Sequence, residues 1–355
     1  MRIGLYGLPT SGKSFLLHRV RDIEILAGSR LLKNICSDFE ALSQEEKHRV
    51  RRELALKLRE KDTFLMDGHY SFGDQVVFTE EDGELYDTFL YLYVDPRILE
   101  DRMKNSPRNR KYLQFPIESW QEREIAELRQ YCHVHKKDFY VLDHPREGYF
   151  SDLSPALQFI RQIVSGFSCV GYARKCAADI LGRVRGDEIT LTDGDRTLIW
   201  EDSSALLGYT THVFDGNFYT GFQSWRHLGE WTRYLQSTGK IGKSLEGAGA
   251  HRNPRVLAQI SEPCFILTSG WEEFWRGLGE GLGMEVYGGS QMSADTKYFI
   301  VKLLQEAGKR VRALGDSMND YFMLKQADWS YLVLRQDGSR SGSLKNRDME
   351  GICLV

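Results

Sequence analysis

RIGLYGLPTSGKSFLLHRV, residues 2–20, opens as a short apolar strand, Ile3–Tyr6, and passes into GLPTSGKS at 7–14 before a helical run begins at Phe15. Residues 7–14 match G-x-x-x-x-G-K-[ST] at every fixed position, between a strand and a helix as the chemistry requires. Gly7 and Gly12 let the backbone wrap a phosphate so that successive N–H groups point inward, and the helix N-terminus adds partial positive charge there. Lys13 is expected to reach the β and γ phosphates, and the Ser14 hydroxyl to serve as a Mg²⁺ ligand. A chance strand–helix turn does not require all of these residues. The stretch is therefore read as a site for ATP or a close relative, held by Gly7, Gly12, Lys13 and Ser14.

Working outward, short apolar strands at Arg2–Tyr6, Thr63–Met66, Thr88–Val94 and Asp138–Leu142 alternate with helical runs at Lys13–Arg21, Ser43–Glu60, Arg97–Lys104 and Ile117–His135. Such alternation predicts an α/β domain with a parallel sheet and helices on both faces. The basic run EEKHRVRRELALKLREK at 45–61 is read as a solvated helix face with i,i+4 pairs and not as a binding surface. The chain has 355 residues, which at roughly 150 per domain predicts two domains. Its 41% hydrophobic and 27% charged residues exclude a disordered tail or a fibrous repeat. With 47 Lys and Arg against 50 Asp and Glu, the net charge of -3 gives no whole-chain electrostatic grip on nucleic acid. Six cysteines, at 36, 132, 169, 176, 264 and 353, follow no CxxC or metal spacing and read as reduced thiols of a cytoplasmic protein. No export signal or membrane span is expected, since apolar runs such as FLYLYV at 89–94 are too short.

Over about residues 1–145 the chain resembles the nucleotide-kinase branch of P-loop proteins, the adenylate-kinase-like enzymes. The glycine-lysine loop carries most of this resemblance. It implies phosphoryl transfer from ATP to an acceptor gripped by an arginine on the helix after the loop, and AGSRLLK at 27–33 offers Arg30 or Lys33. Asp67 ends a strand in LMDGHY and suits the Mg²⁺ shell or activation of the acceptor. His69 beside it and Asp38 in CSDFE are lesser candidates. The resemblance also implies a lid whose arginines neutralise the migrating phosphoryl group, with Arg102, Arg108 and Arg110 in the matching region. A solvated basic turn is the other reading of that cluster. The DGFPR segment usual in adenylate kinases is missing, which argues against AMP as acceptor.

The expected division is a kinase-like domain at 1–150, a two-helix connector at 151–186 and a second α/β domain at 187–355. In that domain EITLTD, CFILTS, KRVRALGD and SYLVLR read as strands. ITLTDGDRTL at 189–198 fits D-x-D-x-T, with Thr268 ending the next strand, Lys297 opening a helix, and GDSMND placing Asp316 and Asp320 four apart. Four motifs in this order resemble the haloacid-dehalogenase superfamily of phosphohydrolases, and the spacing is similar to its phosphoserine-phosphatase-like members. Their fold implies a Rossmann-like parallel sheet with a helical cap, here at about 200–262.

Strand ends in such a sheet converge on one crevice, so residues distant in sequence meet there. The resemblance implies Asp193 as nucleophile, forming an aspartyl-phosphate, and Asp195 as general acid and then base. It implies Thr268 and Lys297 as phosphoryl-binding groups, and Mg²⁺ held by Asp193, the Asp195 carbonyl and Asp316, with Asp320 as ligand or support. Phe218, Tyr219, Gln223 and Trp225 in the insert form either a substrate wall or the cap's own core. Glu201 and Asp202 lie where phosphoserine phosphatases read an amino group.

These readings converge on a bifunctional kinase and phosphomonoesterase using Mg²⁺ and ATP, with a small phosphorylated molecule as preferred substrate. Polynucleotide kinase-phosphatases have the same domain order, so repair of nucleic-acid ends is the alternative. A third reading makes the loop a nucleotide sensor regulating the phosphatase.

Overall fold

A computed structural model of the chain describes residues 1–242, 245 and 247–355. It divides into two units, Met1–Phe167 and Ser168–Val355. The helix Ser154–Val164 belongs to the first and Cys169–Arg183 to the second. The expected connector at 151–186 is thus not a separate piece. Its helices are amphipathic, and each buries its apolar face (Phe159, Ile160 and Ile163 in one; Ala173, Cys176 and Ile180 in the other) within its own unit.

In the first unit β1 (Arg2–Tyr6), β2 (Ile25–Leu26), β3 (Phe64–Asp67), β6 (Thr88–Leu92) and β7 (Asp138–Leu142) form one sheet, ordered β2-β3-β1-β6-β7. Every pairing in it is parallel. A separate antiparallel hairpin, β4 (Ser71–Phe72) and β5 (Gln75–Val76), follows β3. All residues of β6 and β7 are buried, as a sheet covered on both faces demands. The strands expected at Arg2–Tyr6 and Asp138–Leu142 form with those bounds, and the other two differ only at their ends. β2, β4 and β5 have two residues each, too few for an alternating pattern to be visible. The charged helix Gln44–Leu58 starts with a Ser43–Glu46 capping box and buries only Leu54, Ala55 and Leu58, so most of its charges face solvent.

The second unit adds β8 (Glu188–Asp193), β9 (Cys264–Thr268), β10 (Glu285–Gly288), β11 (Arg310–Gly315), β12 (Trp329–Leu332) and β13 (Cys353–Leu354). Their order is β10-β9-β8-β11-β12-β13, again wholly parallel. In both sheets the chain fills one side of the unit's first strand before crossing to the other, which leaves that first strand internal. The C-terminal end of that strand lies at the topological switch point, where open α/β sheets leave a crevice. One of these ends carries GLPTSGKS and the other Asp193.

The insert at about 200–262 contains one long helix, Gly221–Thr238, and short ones at Ser203–Leu206 and Pro254–Leu257. It is not a cap with a core of its own. Trp231 and Leu235 of the long helix share a buried cluster with Ile266 on β9, Val286 on β10, Leu314 on β11 and Trp275. One long helix cannot enclose a hydrophobic core, so its apolar stripe joins the sheet's. Among the described residues, no helix is long and apolar enough to cross a membrane. Trp231→Ala is expected to cost about 3–5 kcal/mol, as loss of a fully buried aromatic does. Denaturant unfolding should show the insert and the sheet of the second unit losing structure in one transition.

Candidate active sites

In the first unit the loop after β1 takes left-handed turns at Gly7 (φ 145°), Thr10 (φ 65°) and Gly12 (φ 101°). Gly7 is required twice over, because a Cβ there would lie 2.8 Å from the Leu92 carbonyl oxygen. Lys13, 6% exposed, folds over the loop and donates to the carbonyls of Gly7 (2.5 Å) and Leu8 (3.1 Å). Burial lowers its ammonium to about 8, while Glu124 and Asp67 pull it back up. Ser14 opens the helix Lys13–Leu17 and is exposed.

Asp67 ends β3 beside Leu5 of β1, and its Oδ1 accepts from Gly28 N at 3.1 Å. That bond seats the helix Gly28–Ile35, on which Arg30 and Lys33 are exposed and three residues apart. Arg102 donates to the carbonyls of Thr10 (3.2 Å) and Ser11 (3.3 Å), so it reaches the loop. Arg108 is instead exposed and pairs with Glu40 at 3.7 Å, and Arg110 is exposed at the start of a 3-10 turn. Asp38 is exposed as well. His69 packs against the Phe72 ring with centroids 4.6 Å apart, and its Nδ1 is buried without a partner. Burial, then Lys13 and Arg51, hold this imidazole well below its ordinary value.

Sequence reasoning missed Glu124. Its carboxylate, 1% exposed, accepts from Ser71 N (2.9 Å), Ser71 Oγ (2.7 Å), Tyr91 Oη (2.9 Å) and Trp120 Nε1 (3.1 Å). Burial pushes it up, against the Ser71 and Tyr91 hydrogen bonds. It ties the β4–β5 hairpin to β6 and supplies negative charge beneath Lys13. The signal was a carboxylate on the stripe Ile117, Trp120, Glu124, Leu128, otherwise apolar at helical spacing.

In the second unit the motif residues meet. Lys297, fully buried on the helix Ala294–Glu306, donates to Asp193 Oδ1 at 2.6 Å and Asp320 Oδ1 at 2.7 Å. The other oxygen of Asp320 accepts from the backbone N–H of Asp316 (3.1 Å) and of Ser317 (3.2 Å), shaping the turn after β11. This turn needs Gly315, where a Cβ would stand 2.3 Å from that of Asp320. One oxygen each from Asp193, Asp316 and Asp320 lies within 4.8 Å of the others. Thr268 ends β9 next to β8, is fully buried, and accepts from Gly270 N at 3.0 Å.

Burial raises Asp193 to about 7, with Asp320 adding and Lys297 opposing. Asp316 rises to about 8 through burial, Asp320 and Asp193, opposed by Arg335. Asp195 is pushed well above the usual carboxylate range by burial, Asp202 and Asp193, although its Oδ1 accepts from Ser203 N at 2.5 Å. Converging oxygen donors whose charges repel one another fit a hard divalent cation such as Mg²⁺, which would relieve the repulsion.

Several insert residues are engaged elsewhere. Gln223 is fully buried and accepts from Thr220 N at 2.9 Å to cap the long helix. Glu201 accepts from His251 N at 2.9 Å, with His251 Nδ1 at 2.7 Å, and Asp202 caps the helix Ser203–Leu206. Glu201 and Asp202 thus do local structural work. Phe218, Tyr219 and Trp225 are half-buried, and Tyr219 stacks on Phe214 at 5.2 Å. The sequence reading also left Arg335 as the end of a strand, whereas its Nη1 lies 2.7 Å from Asp316 Oδ2.

No protein-family model and no curated protein matches the chain. Among solved structures, it is similar to a HAD family hydrolase from Salmonella enterica subsp. enterica serovar Typhi (15% identity, TM-score 0.31, covering 52% of this chain and 75% of that one). It is also similar to an apo phosphoserine phosphatase (15% identity, TM-score 0.27, covering 43% and 89%). A third is the catalytic domain of the CPx-ATPase CopB-B (18% identity, TM-score 0.25, covering 41% and 78%). Likenesses this faint carry no inference about chemistry, which rests on the geometry of the two parallel-sheet crevices.

Proposed function

We propose that the chain is a bifunctional enzyme. The second unit hydrolyses a phosphomonoester through an aspartyl-phosphate on Asp193, and the first transfers the γ-phosphoryl group of ATP to an acceptor. The observation that carries the proposal is the fully buried Lys297, which holds Asp193 and Asp320 at the switch point beside Asp316. This arrangement supports the resemblance of the D-x-D-x-T and GDSMND motifs to the haloacid-dehalogenase superfamily.

An Asp193 oxygen attacks phosphorus as the ester P–O bond breaks, and Asp195, whose hold on a proton burial strengthens, gives its proton to the departing oxygen. Water then attacks the same phosphorus, Asp195 takes its proton, and the bond to Asp193 breaks to release inorganic phosphate. Thr268 and Lys297 bind the phosphoryl oxygens, and Lys297 fixes the angle of the nucleophile. Asp193, the Asp195 carbonyl and Asp316 would hold Mg²⁺, with Asp320 in support. When bound, the ion offsets charge shared by carboxylates and phosphoryl group.

In the first unit the loop N–H groups and Lys13 would cradle the ATP phosphates, with Ser14 as Mg²⁺ ligand and Arg102 beside the loop. Asp67, on the neighbouring strand end, is the acceptor-side carboxylate. The balanced net charge favours a small phosphorylated acceptor and substrate.

Asp193→Asn is expected to lower phosphate release about a thousandfold or more and to spare phosphoryl transfer. Lys13→Ala should do the reverse. Both are assayed with Mg²⁺ on mononucleotides, sugar and amino-acid phosphates, and an oligonucleotide with 5′-hydroxyl and 3′-phosphate ends. Processing of both oligonucleotide ends with the metabolites ignored would replace the small-molecule reading by end repair. Phosphatase activity that responds to ATP without any transfer would reduce the first unit to a sensor.

Magnesium should raise the melting temperature more at pH 8 than at pH 6, read by calorimetry against EDTA. At the lower pH, Asp193 (about 7) and Asp316 (about 8) hold protons that the cation must displace. Without the cation the sign reverses. Carboxyls raised in the fold favour it while protonated, and that stability, full below the ordinary carboxylate range, is lost progressively as pH rises from there to about 7–8.

A further inference from the structure

We infer that Arg335 receives a second anionic group of the phosphatase substrate, one separate from the phosphoryl group that is removed. This rests on the phosphatase reading above and adds to it the class of substrate. Arg335 follows β12, where a tight turn (Arg335 N to Ser339 O, 2.9 Å; Gly338 N to Arg335 O, 2.9 Å) fixes its backbone. Its side chain is 23% exposed and turns back over β11 to Asp316. The contact is close and uses one nitrogen: Nη1 is buried and lies 2.7 Å from Asp316 Oδ2. Asp316 therefore does not use up the guanidinium, which keeps its planar set of donors.

The charge balance leads the same way. Lys297 already serves Asp193 and Asp320 through two hydrogen bonds. A cation taking the Asp316 oxygen would repel the guanidinium and leave it at the mouth of the crevice, still tethered by its turn. What offsets a guanidinium there is an anion, and its paired donors suit a phosphate or carboxylate.

Strand order sets how far away that anion sits. Asp193 ends β8, Asp316 follows β11, and Arg335 follows β12, the next strand over. At about 4.8 Å per strand, an anion on Arg335 lies roughly 5–10 Å from the phosphorus on Asp193. That is the separation of neighbouring phosphates on a sugar, or of a phosphate and a carboxylate in a small metabolite.

The test compares wild type, Arg335→Gln and Arg335→Lys on three probes: para-nitrophenyl phosphate, adenosine 3′,5′-bisphosphate and a 3′-phosphorylated oligothymidylate. Relative to para-nitrophenyl phosphate, kcat/KM for the probes with a second anion should fall about tenfold or more in Arg335→Gln, mostly through KM, as loss of a charge-assisted pair does. Arg335→Lys should restore part of it. Whether the bisphosphate or the oligonucleotide carries the effect separates a small substrate from a polymer. In a calorimetric titration without substrate, Arg335→Gln should bind Mg²⁺ more tightly than wild type, because Asp316 is no longer contested. An equal loss on all probes, or weaker Mg²⁺ binding, would make Arg335 a support for Asp316 and overturn the inference while leaving the phosphatase intact. If wild type hydrolyses none of the probes, the phosphatase reading itself fails and takes the inference with it.

Discussion

A lysine ammonium with no exposure to water has to be paired, and the second unit is arranged around that requirement. Removing one partner of a buried ion pair leaves an uncompensated charge, typically at a cost of about 3–5 kcal/mol. Lys297 meets the condition with two carboxylates, Asp193 at the end of β8 and Asp320 on the helix that follows β11. It therefore fixes the helix Ala294–Glu306 against both strands and sets where the Asp193 carboxylate points. Asp320 passes the constraint on, since its second oxygen organises the turn that carries Asp316. A single cation thus couples the register of the sheet to the geometry of its crevice.

The first unit reaches a comparable result with the charges reversed in role. Its buried carboxylate, Glu124, is satisfied by four donors and lies below a lysine that is itself almost wholly enclosed. Lys13 keeps a cationic form in a desolvating environment because Glu124 and Asp67 pull against burial. In each unit the charge of a buried lysine beside the switch-point strand is offset by carboxylates: Glu124 on a helix and Asp67 on β3 for Lys13, Asp193 on β8 and Asp320 on a helix for Lys297. The two crevices differ in which charge a ligand would meet: a lysine ammonium and a helix N-terminus in one, converging carboxylate oxygens in the other.

Much of this was legible from residues alone, for reasons that differ by element. Long strands with buried interiors, such as Asp138–Leu142 and Glu188–Asp193, announce themselves as apolar or β-branched runs bounded by charged residues. GLPTSGKS and the aspartate motifs are legible because their chemistry fixes local spacing. Strands of two residues carry no period, and the role of a single charged residue depends on what the fold brings beside it. Glu124 shows in the sequence only as a carboxylate on an apolar stripe, and what it serves, like the role of Arg335, emerges from the packing of one helix and the adjacency of β11 and β12. The connector and the cap were misjudged for a related reason. Amphipathic helices disclose that they bury a face but not which neighbour covers it.

The shared core of the insert and the sheet has an evolutionary consequence. Trp231 and Leu235 pack among residues of β9, β10 and β11, so the segment is not a transplantable module. Exchanging it for the corresponding segment of another protein would replace half of a packed interface and strand the other half. New specificities in this architecture are therefore expected to arise by point changes at the crevice rim, with the insert and the sheet core diversifying together under a common volume constraint.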